Sequence, residues 1–326
     1  EDDNQNGLAH VLEHMAFHST QSFPDGVPAF LQRHGVETFN AVTKYDETIY
    51  HIDHVPTASR VLVDSCVLVL RDWSGFLKLK SEDMDQERKV IREERRVRMN
   101  VSKRVKKMAE PYLYNGSKYA IHDIIGTVDV VQNFTPDQQA VMIIGDIDVE
   151  QVETTVKRLF DPIPKRKNPK PRLVYKIENN DRPLYAKLID KEISNNSIQL
   201  VKRIPWVSVN SLEDMLREML LRDFYNSVMR GLITEYVEAG ESYLLSAGAW
   251  ISNLVRNYDS FNMVLTSLPG KEKEALQQML DKIEYVHRFG FTDEVLQPLI
   301  EKYRQGVRAN MGQEGSMPNS VFLQIY

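Results

Sequence analysis

A proline-rich segment divides this chain near its middle. Residues 161–171 contain four prolines and almost no apolar side chains. Proline fixes φ and lacks the backbone N–H that helices and sheets use, so this composition is typical of an extended connection. The length of 326 residues is also about twice that of a usual single domain. We therefore predict a first domain over residues 1–162, a linker over 163–172 and a second domain over 173–326.

The composition excludes two broad classes of function. Hydrophobic residues make up 42% of the chain and charged residues 27%, which is enough apolar material for a core in each domain. Lys and Arg number 41 against 46 Asp and Glu, so the basic excess expected of a nucleic-acid-binding protein is missing. No apolar run reaches the ~18 residues of a membrane span, and the single Cys66 cannot form an internal disulfide.

Hydrophobic periodicity predicts both helices and strands in the first domain. Apolar residues at helical spacing predict helices over residues 6–17, 28–34, 58–73 and 149–160, with Asn6 as the N-cap of the first. A stretch without Gly or Pro, in which acids lead and bases trail, predicts one long helix over residues 81–107. Short apolar runs predict strands over residues 48–52 and 140–146.

The second domain is predicted to have a similar construction. Strands are predicted over residues 197–204, 243–251 and 261–268, and helices over 211–238, 271–289 and 292–310. This mixture predicts an α+β fold of two similar domains, each with a mainly antiparallel sheet packed with helices.

The first predicted helix carries a pair of histidines with a glutamate between them. His10 and His14 are four residues apart, so both imidazoles project from one face of the helix. Two neutral imidazoles on one face suit a zinc ion, and Glu13 on the same side is placed to take a proton from water. The alternative is a pair of surface histidines. His18 follows by another four residues and could extend the metal-binding face, but we predict a surface position for it at the helix end.

The long charged helix supplies candidates for a third metal ligand. Glu87 and Glu94 are seven residues apart, which places them on one face two turns from each other. Glu94 would reach the metal, and Glu87 would lie behind it as a hydrogen-bond partner of a ligand or of Glu13. Glu93 is a rival for the ligand position, because it differs from Glu94 by ~100° of helix rotation.

Several segments resemble one peptidase family. The sequence GLAHVLEHMAF at residues 7–17 is similar to the metal-binding helix of the pitrilysin-type inverzincins, which include insulin-degrading enzyme and the mitochondrial processing peptidase. ERKVIREE at residues 87–94 resembles the family's downstream acidic element. FNA at residues 39–41 and DETIY at 46–50 resemble its edge-strand region. LRDWSG at residues 70–75 and GSKYA at 116–120 are similar to large bacterial members built from two halves.

The resemblance implies a zinc metalloendopeptidase with one Zn²⁺ per chain, folded as one half of a pitrilysin-like clamshell. Glu13 would be the general base and Glu87 the acid that supports the site from behind. Asn40 and Ala41 would bind the backbone of a peptide or unfolded polypeptide by strand pairing. A bacterial envelope location follows only by analogy, and the compartment stays open. The zinc ligands that the resemblance implies are His10, His14 and Glu94.

The resemblance also implies a partner half. In the family, the facing half supplies an Arg and a Tyr, seven residues apart, that hold the substrate carbonyl. The corresponding residues here are Tyr236 and Tyr243, so a tyrosine stands where the arginine is expected. We therefore expect this half to need a second half, in the same full-length chain or in a partner subunit. The alternative function is a non-catalytic scaffold or peptide-binding protein of the same fold.

Overall fold

The protein consists of two compact units. The computed structural model describes residues 6–126, 140–164, 168, 173–206, 211–240 and 242–311. The first unit runs to Leu188 and the second begins at Ile189. Most of the predicted linker at 163–172 lies outside the described residues, so the domain boundaries remain a prediction. None of the helices that the structure describes is long and apolar enough to cross a membrane.

The described part of the first unit combines a β-hairpin with helices. Strands β1 (Thr38–Thr43) and β2 (Thr48–Asp53) pair antiparallel, with Thr38 opposite Asp53 and Thr43 opposite Thr48. A 3-10 turn spans Lys118–Ala120. The helices are α1 (Leu8–Met15), α2 (Val27–Arg33), α3 (Arg60–Trp73), α4 (Ser81–Arg98), α5 (Val101–Leu113) and α6 (Val149–Phe160).

Helix α1 is held by a hydrogen bond just after its end and by apolar packing along one face. Its end packs near α3, where Trp73 Nε1 donates a hydrogen bond of 2.7 Å to the backbone oxygen of Ala16. Its buried apolar residues join Ile91 of α4 in one core cluster, and this burial stabilises a helix too short to persist alone in water. The residues that α1 buries there are Leu8, Val11, Leu12 and Met15.

The second unit is a three-stranded antiparallel sheet packed with helices. The strand order is β3-β5-β4, with β3 (Ser197–Pro205), β4 (Leu244–Val255) and β5 (Tyr258–Ser267). Helices α7 (Leu212–Glu238) and α8 (Glu272–Phe289) contribute to the core that lies against β4 and β5, and α9 (Asp293–Met311) packs on α7. The predicted strands and helices of this part of the chain are confirmed.

Two details of the predicted helices are wrong. The long helix over residues 81–107 is two helices, because the backbone leaves helical geometry at Met99 and the Asn100 side chain caps α5 by accepting from the Lys103 N–H at 3.0 Å. Gly7 rather than Asn6 occupies the N-cap of α1, at φ 87°. A Cβ there would lie 2.5 Å from Gly126 Cα, so the close approach of the two backbones requires glycine.

The strand predicted over residues 140–146 is also wrong, since these residues adopt no strand. In the described part of the first unit, the sheet contains β1 and β2 alone. An apolar run becomes a strand only when a neighbouring strand satisfies its backbone groups. The sequence shows the apolar run but not the neighbour. The helix predicted over 149–160 is confirmed to the residue as α6.

Candidate metal centre

His10, His14 and Glu94 converge where α1 crosses α4. The Nε2 atoms of His10 and His14 each lie 3.4 Å from Glu94 Oε2. The three ligand atoms that these residues offer are within 4.8 Å of one another. His10 is only 4% exposed, whereas the other two residues are partly buried. The packing of α1 against α4 therefore brings the two histidines together with a glutamate that is distant in sequence.

This donor set fits a zinc ion. A tetrahedral site with bonds of about 2.0–2.1 Å separates its ligand atoms by about 3.4 Å, which matches the two distances to Glu94 Oε2. Among the described residues, that oxygen is buried and has no hydrogen-bond partner. Burial lowers the pKa of His10, although the charge of Glu94 acts in the opposite direction. The lowered pKa favours the neutral imidazole, which is the form that binds metals.

Glu87 orients His14 from the side away from Glu94. Its Oε2 accepts a hydrogen bond of 2.8 Å from His14 Nδ1. Because a carboxylate only accepts, the His14 proton lies on Nδ1 and leaves the Nε2 lone pair directed at Glu94 and the metal position. Glu87 is itself 9% exposed. The structure thus places the Glu87 carboxylate against the Nδ1 side of the His14 ring.

Glu93 does not compete for the site. Its side chain is 66% exposed and pairs with Arg96 at 2.8 Å on the solvent side of α4. Glu94 is 19% exposed, and its second oxygen, Oε1, pairs with Arg98 at 2.7 Å. The ambiguity between the two adjacent glutamates is therefore resolved by the rotation of α4, which turns Glu94 toward α1.

Glu13 is held by the first strand of the hairpin. The Thr43 hydroxyl donates a 2.5 Å hydrogen bond to Glu13 Oε2, and the Thr48 hydroxyl lies 3.2 Å from that of Thr43. Burial raises the pKa of the neighbouring Tyr50, and the Glu13 charge raises it further. Glu13 is also close enough to His10 to influence its pKa. The carboxylate thus lies between the histidine pair and β1.

Asn40 and Ala41 lie on β1, just before Thr43. Ala41 is 6% exposed and shares the inward face with Thr43, whereas Asn40 is exposed on the other face, opposite His51 in the register. In the described residues, β1 pairs with β2 on one edge, and no strand pairs with its other edge. The structure therefore places both predicted substrate-binding residues on a strand next to Glu13.

Comparison with known families gives the identity of this arrangement. Residues 1–122 match the family described as insulinase (peptidase family M16), and residues 131–303 match the peptidase M16 inactive domain. The chain belongs to the insulinase family. The predicted resemblance to the pitrilysin-type peptidases is thereby confirmed.

Curated relatives of this insulinase-family chain are named as zinc proteases. "Probable zinc protease PqqL" of Escherichia coli (strain K12) is 26% identical over 325 aligned residues, covering 91% of this chain and 33% of that protein. "Zinc protease PQQL-like" of Arabidopsis thaliana is 26% identical over 243 residues, covering 69% of this chain and 25% of that protein. The chain thus spans about a third or less of the length of these relatives.

Solved structures give the same fold. The first half of the periplasmic protease PqqL from Escherichia coli has a TM-score of 0.77 at 22% identity, covering 98% of this chain and 72% of that one. Pitrilysin has a TM-score of 0.56 at 13% identity, covering 89% of this chain and 32% of that one. The predicted α+β fold, with antiparallel sheets and helices as in one half of a pitrilysin-like protein, is confirmed.

The two tyrosines at the predicted arginine and tyrosine positions lie in the second unit. Tyr236 of α7 packs against the core of that unit, and Lys282 Nζ lies 4.2 Å from its ring centroid. Tyr243 is 39% exposed and lies just before β4, with Lys271 Nζ 5.0 Å from its ring centroid. Tyr236 therefore has a packing role at the position where an arginine was expected.

Sequence reasoning assigned no role in the insulinase-family site to two side chains that contact its residues. His18, predicted as a surface residue, contacts Glu87 at 2.7 Å. Its signal was present, because it follows His14 at the spacing that separates His14 from His10. Thr43 contacts Glu13, and only the period of two along β1 places it on the same face as Ala41.

Proposed function

We propose that this chain is the zinc-binding half of an endopeptidase, in which His10, His14 and Glu94 hold one zinc ion and Glu13 is the general base. The observation that carries the proposal is the buried oxygen of Glu94, which is 3.4 Å from both imidazole Nε2 atoms and, in the described residues, lacks a hydrogen-bond partner. Membership of a peptidase family supports the reaction class.

Each residue has a separate task in this proposal. Zinc, when bound, supplies the Lewis acidity that lowers the pKa of water to about 7. Thr43 holds Glu13 Oε2 by its hydrogen bond, so Oε1 is left to take the proton from the attacking water and return it to the leaving amine. Glu87 keeps the His14 Nε2 lone pair aimed at the metal through the bond to Nδ1.

The proposed substrate is a peptide or an unfolded polypeptide segment in extended form. The edge of β1 that has no strand partner in the described residues presents backbone N–H and C=O groups beside Glu13. An extended peptide pairs with such an edge through its own backbone, which needs little side-chain recognition. Asn40 on the exposed face of β1 and Ala41 on the buried face are the proposed contact positions.

Full activity is proposed to require a second half. The chain spans about a third of the length of its relative PqqL, and Tyr236 occupies the position where the family's facing half carries an arginine. Without donors for the substrate carbonyl, a large electrostatic contribution to catalysis is lost. We expect this chain alone to bind zinc and to hydrolyse peptides poorly. Rapid proteolysis by the isolated chain would contradict the requirement.

The metal site is tested by elemental analysis of the purified chain and of two matched variants. We expect about one zinc per chain in the wild type. Glu94→Gln removes the charged ligand oxygen, and by dividing an apparent zinc-binding free energy of about 10 kcal/mol over three protein ligands we expect an affinity loss of about 100-fold or more. Glu93→Gln is the control, because Glu93 is adjacent in sequence but faces solvent.

The outcomes separate the two candidate functions. Zinc that is lost in Glu94→Gln and retained in Glu93→Gln would support the proposal. A wild-type chain without zinc, even after supplementation with the metal, would exclude it and favour the scaffold of the same fold. The presence of Glu13, which a purely structural metal site does not need, favours the peptidase over the scaffold.

A further inference from the structure

His18 lies at the outer end of a row of histidines that faces a row of acids. His10, His14 and His18 recur every four residues from α1 into the turn after it. On α4, Glu94, Glu87 and Asp83 face them in the opposite chain direction. We infer that His18 is a positioning residue that holds the zinc ligand His14 in place through Glu87. The inference rests on the proposed function.

The contacts form a continuous chain of hydrogen bonds. His18 Nε2 lies 2.7 Å from Glu87 Oε1, and His14 Nδ1 lies 2.8 Å from Glu87 Oε2. Each oxygen of the carboxylate therefore accepts from a different imidazole. With one donor alone, the carboxylate would be free to rotate about its terminal torsion, which is broad for glutamate. The second donor fixes the plane of the carboxylate, and so fixes the direction of the bond to His14.

The backbone on both sides of His18 is held by hydrogen bonds. The N–H groups of Phe17 and His18 donate to the backbone oxygens of His14 and Met15, each at 3.1 Å, which continues α1 as a tight turn. Two residues later, Thr20 forms a β-bridge with Leu77. The segment is thus held on both sides of His18. The His18 side chain is 21% exposed, so most of it is shielded from water.

Asp83 lies near His18 at the outer end of the row but forms no hydrogen bond with it. Because Glu87 only accepts, His18 carries its proton on Nε2, and its Nδ1 faces Asp83 Oδ1 at 3.8 Å, too far for a hydrogen bond. The described contacts therefore give His18 one strong partner, Glu87. A surface histidine needs no such partner at 2.7 Å. The geometry points to a role that reaches the metal ligand two hydrogen bonds away.

The experiment measures zinc affinity by competition with a chromophoric chelator at one fixed pH. His18→Ala removes the donor to Glu87, and we expect zinc affinity to fall about tenfold, the lower end of the effect of losing an outer partner of a metal ligand. His18→Gln keeps an N–H donor near the same place, and we expect it to recover most of the affinity. The control is His34→Ala, since His34 is exposed and contacts the Phe30 backbone oxygen at 2.8 Å.

Glu87→Ala, which removes the acceptor of both imidazoles, tests whether the effect passes through Glu87. In that background, His18→Ala is expected to change zinc affinity by less than about twofold, because a residue acting through a lost partner has little further effect. The unfolding midpoint of each variant in excess chelator is measured alongside. A fall in affinity without a fall in this midpoint supports positioning rather than general destabilisation.

Several results would overturn the inference. Wild-type affinity in His18→Ala, failure of His18→Gln to restore binding, or an undiminished effect of His18→Ala in the Glu87→Ala background would each exclude it and leave the proposed function intact. Absence of zinc from the wild-type chain would overturn the inference and the proposed function together. A loss of zinc affinity accompanied by an equivalent fall of the unfolding midpoint in excess chelator would show that His18 stabilises the fold rather than positions His14.

Discussion

Asp72 is a fully buried acid that ties the segment after α1 to α3. Its Oδ2 accepts hydrogen bonds of 2.7 Å from the Thr20 hydroxyl and from the Ser22 backbone N–H. Its Oδ1 accepts from Arg71 at 2.8 Å and from the Ser22 hydroxyl at 3.2 Å. All four donors belong to the first unit, and the carboxylate is 0% exposed. Replacement by asparagine keeps the shape and removes the charge.

The expected cost follows from where the new amide group can point. If the amide nitrogen of the new side chain took the place of Oδ2, two N–H donors would face each other, because the Ser22 backbone N–H points at that position and cannot be redirected. With nitrogen in the place of Oδ1, it would oppose Arg71, whose side chain is 17% exposed and also contacts Gln21. We expect the second orientation. It loses one charge-assisted bond and weakens two others, so Asp72→Asn should lower the free energy of unfolding by about 2–3 kcal/mol.

Urea unfolding followed by tryptophan fluorescence measures this change. Trp73 is 8% exposed and lies next to Asp72, whereas Trp206 and Trp250 are 53% and 37% exposed, so the blue-shifted signal reports the first unit. The matched control is Asp85→Asn. Asp85 is 64% exposed and pairs with a residue three positions along α4, so its loss should cost less than about 0.5 kcal/mol. A cost below about 1 kcal/mol for Asp72→Asn would refute the reasoning.

Two further predictions concern Glu13, the proposed general base. Glu13→Gln should retain zinc by elemental analysis and lower peptide hydrolysis at least about 100-fold in the protein that carries both halves; loss of zinc would instead make Glu13 a ligand. Thr43→Val removes the donor to Glu13 Oε2 and should lower kcat about tenfold with KM unchanged, while Thr43→Ser restores the rate; equal rates in the wild type and Thr43→Val would show that Glu13 needs no support from β1.

Local sequence signals predicted most helices, and they failed where a distant contact decides the structure. The ends of α6 follow from local capping, since Asp148 accepts from the Gln151 N–H at the start of the helix. The break at Asn100 has the same kind of capping signal. No Gly or Pro accompanies it, so the composition of residues 81–107 indicates one continuous helix. The strand predicted at 140–146 depended on a pairing neighbour, which no local pattern reveals.

The rotation of α4 explains why Glu94 was harder to predict than the histidines. The sequence offers two apolar residues side by side, Val90 and Ile91, and either could define the buried face. In the structure Ile91 is 0% exposed and Val90 is 44% exposed. Glu94 lies three residues after Ile91 and Glu87 four residues before it, so choosing Ile91 brings both acids to α1. Packing decides which glutamate of α4 faces the histidines, and composition alone does not.

The proposed metal motif of His10, Glu13 and His14 depends in the same way on neighbouring residues that bind no metal. Helix α1 has eight residues, which is too short to be stable alone in water. Its shape comes from the buried Leu8, Val11, Leu12 and Met15, packed against Ile91. Polar residues at those apolar positions would keep His10, Glu13 and His14 in the sequence but would remove the helix that aligns the two imidazoles. The motif therefore predicts zinc chemistry only together with the apolar positions between its ligands and with the α4 surface that receives them.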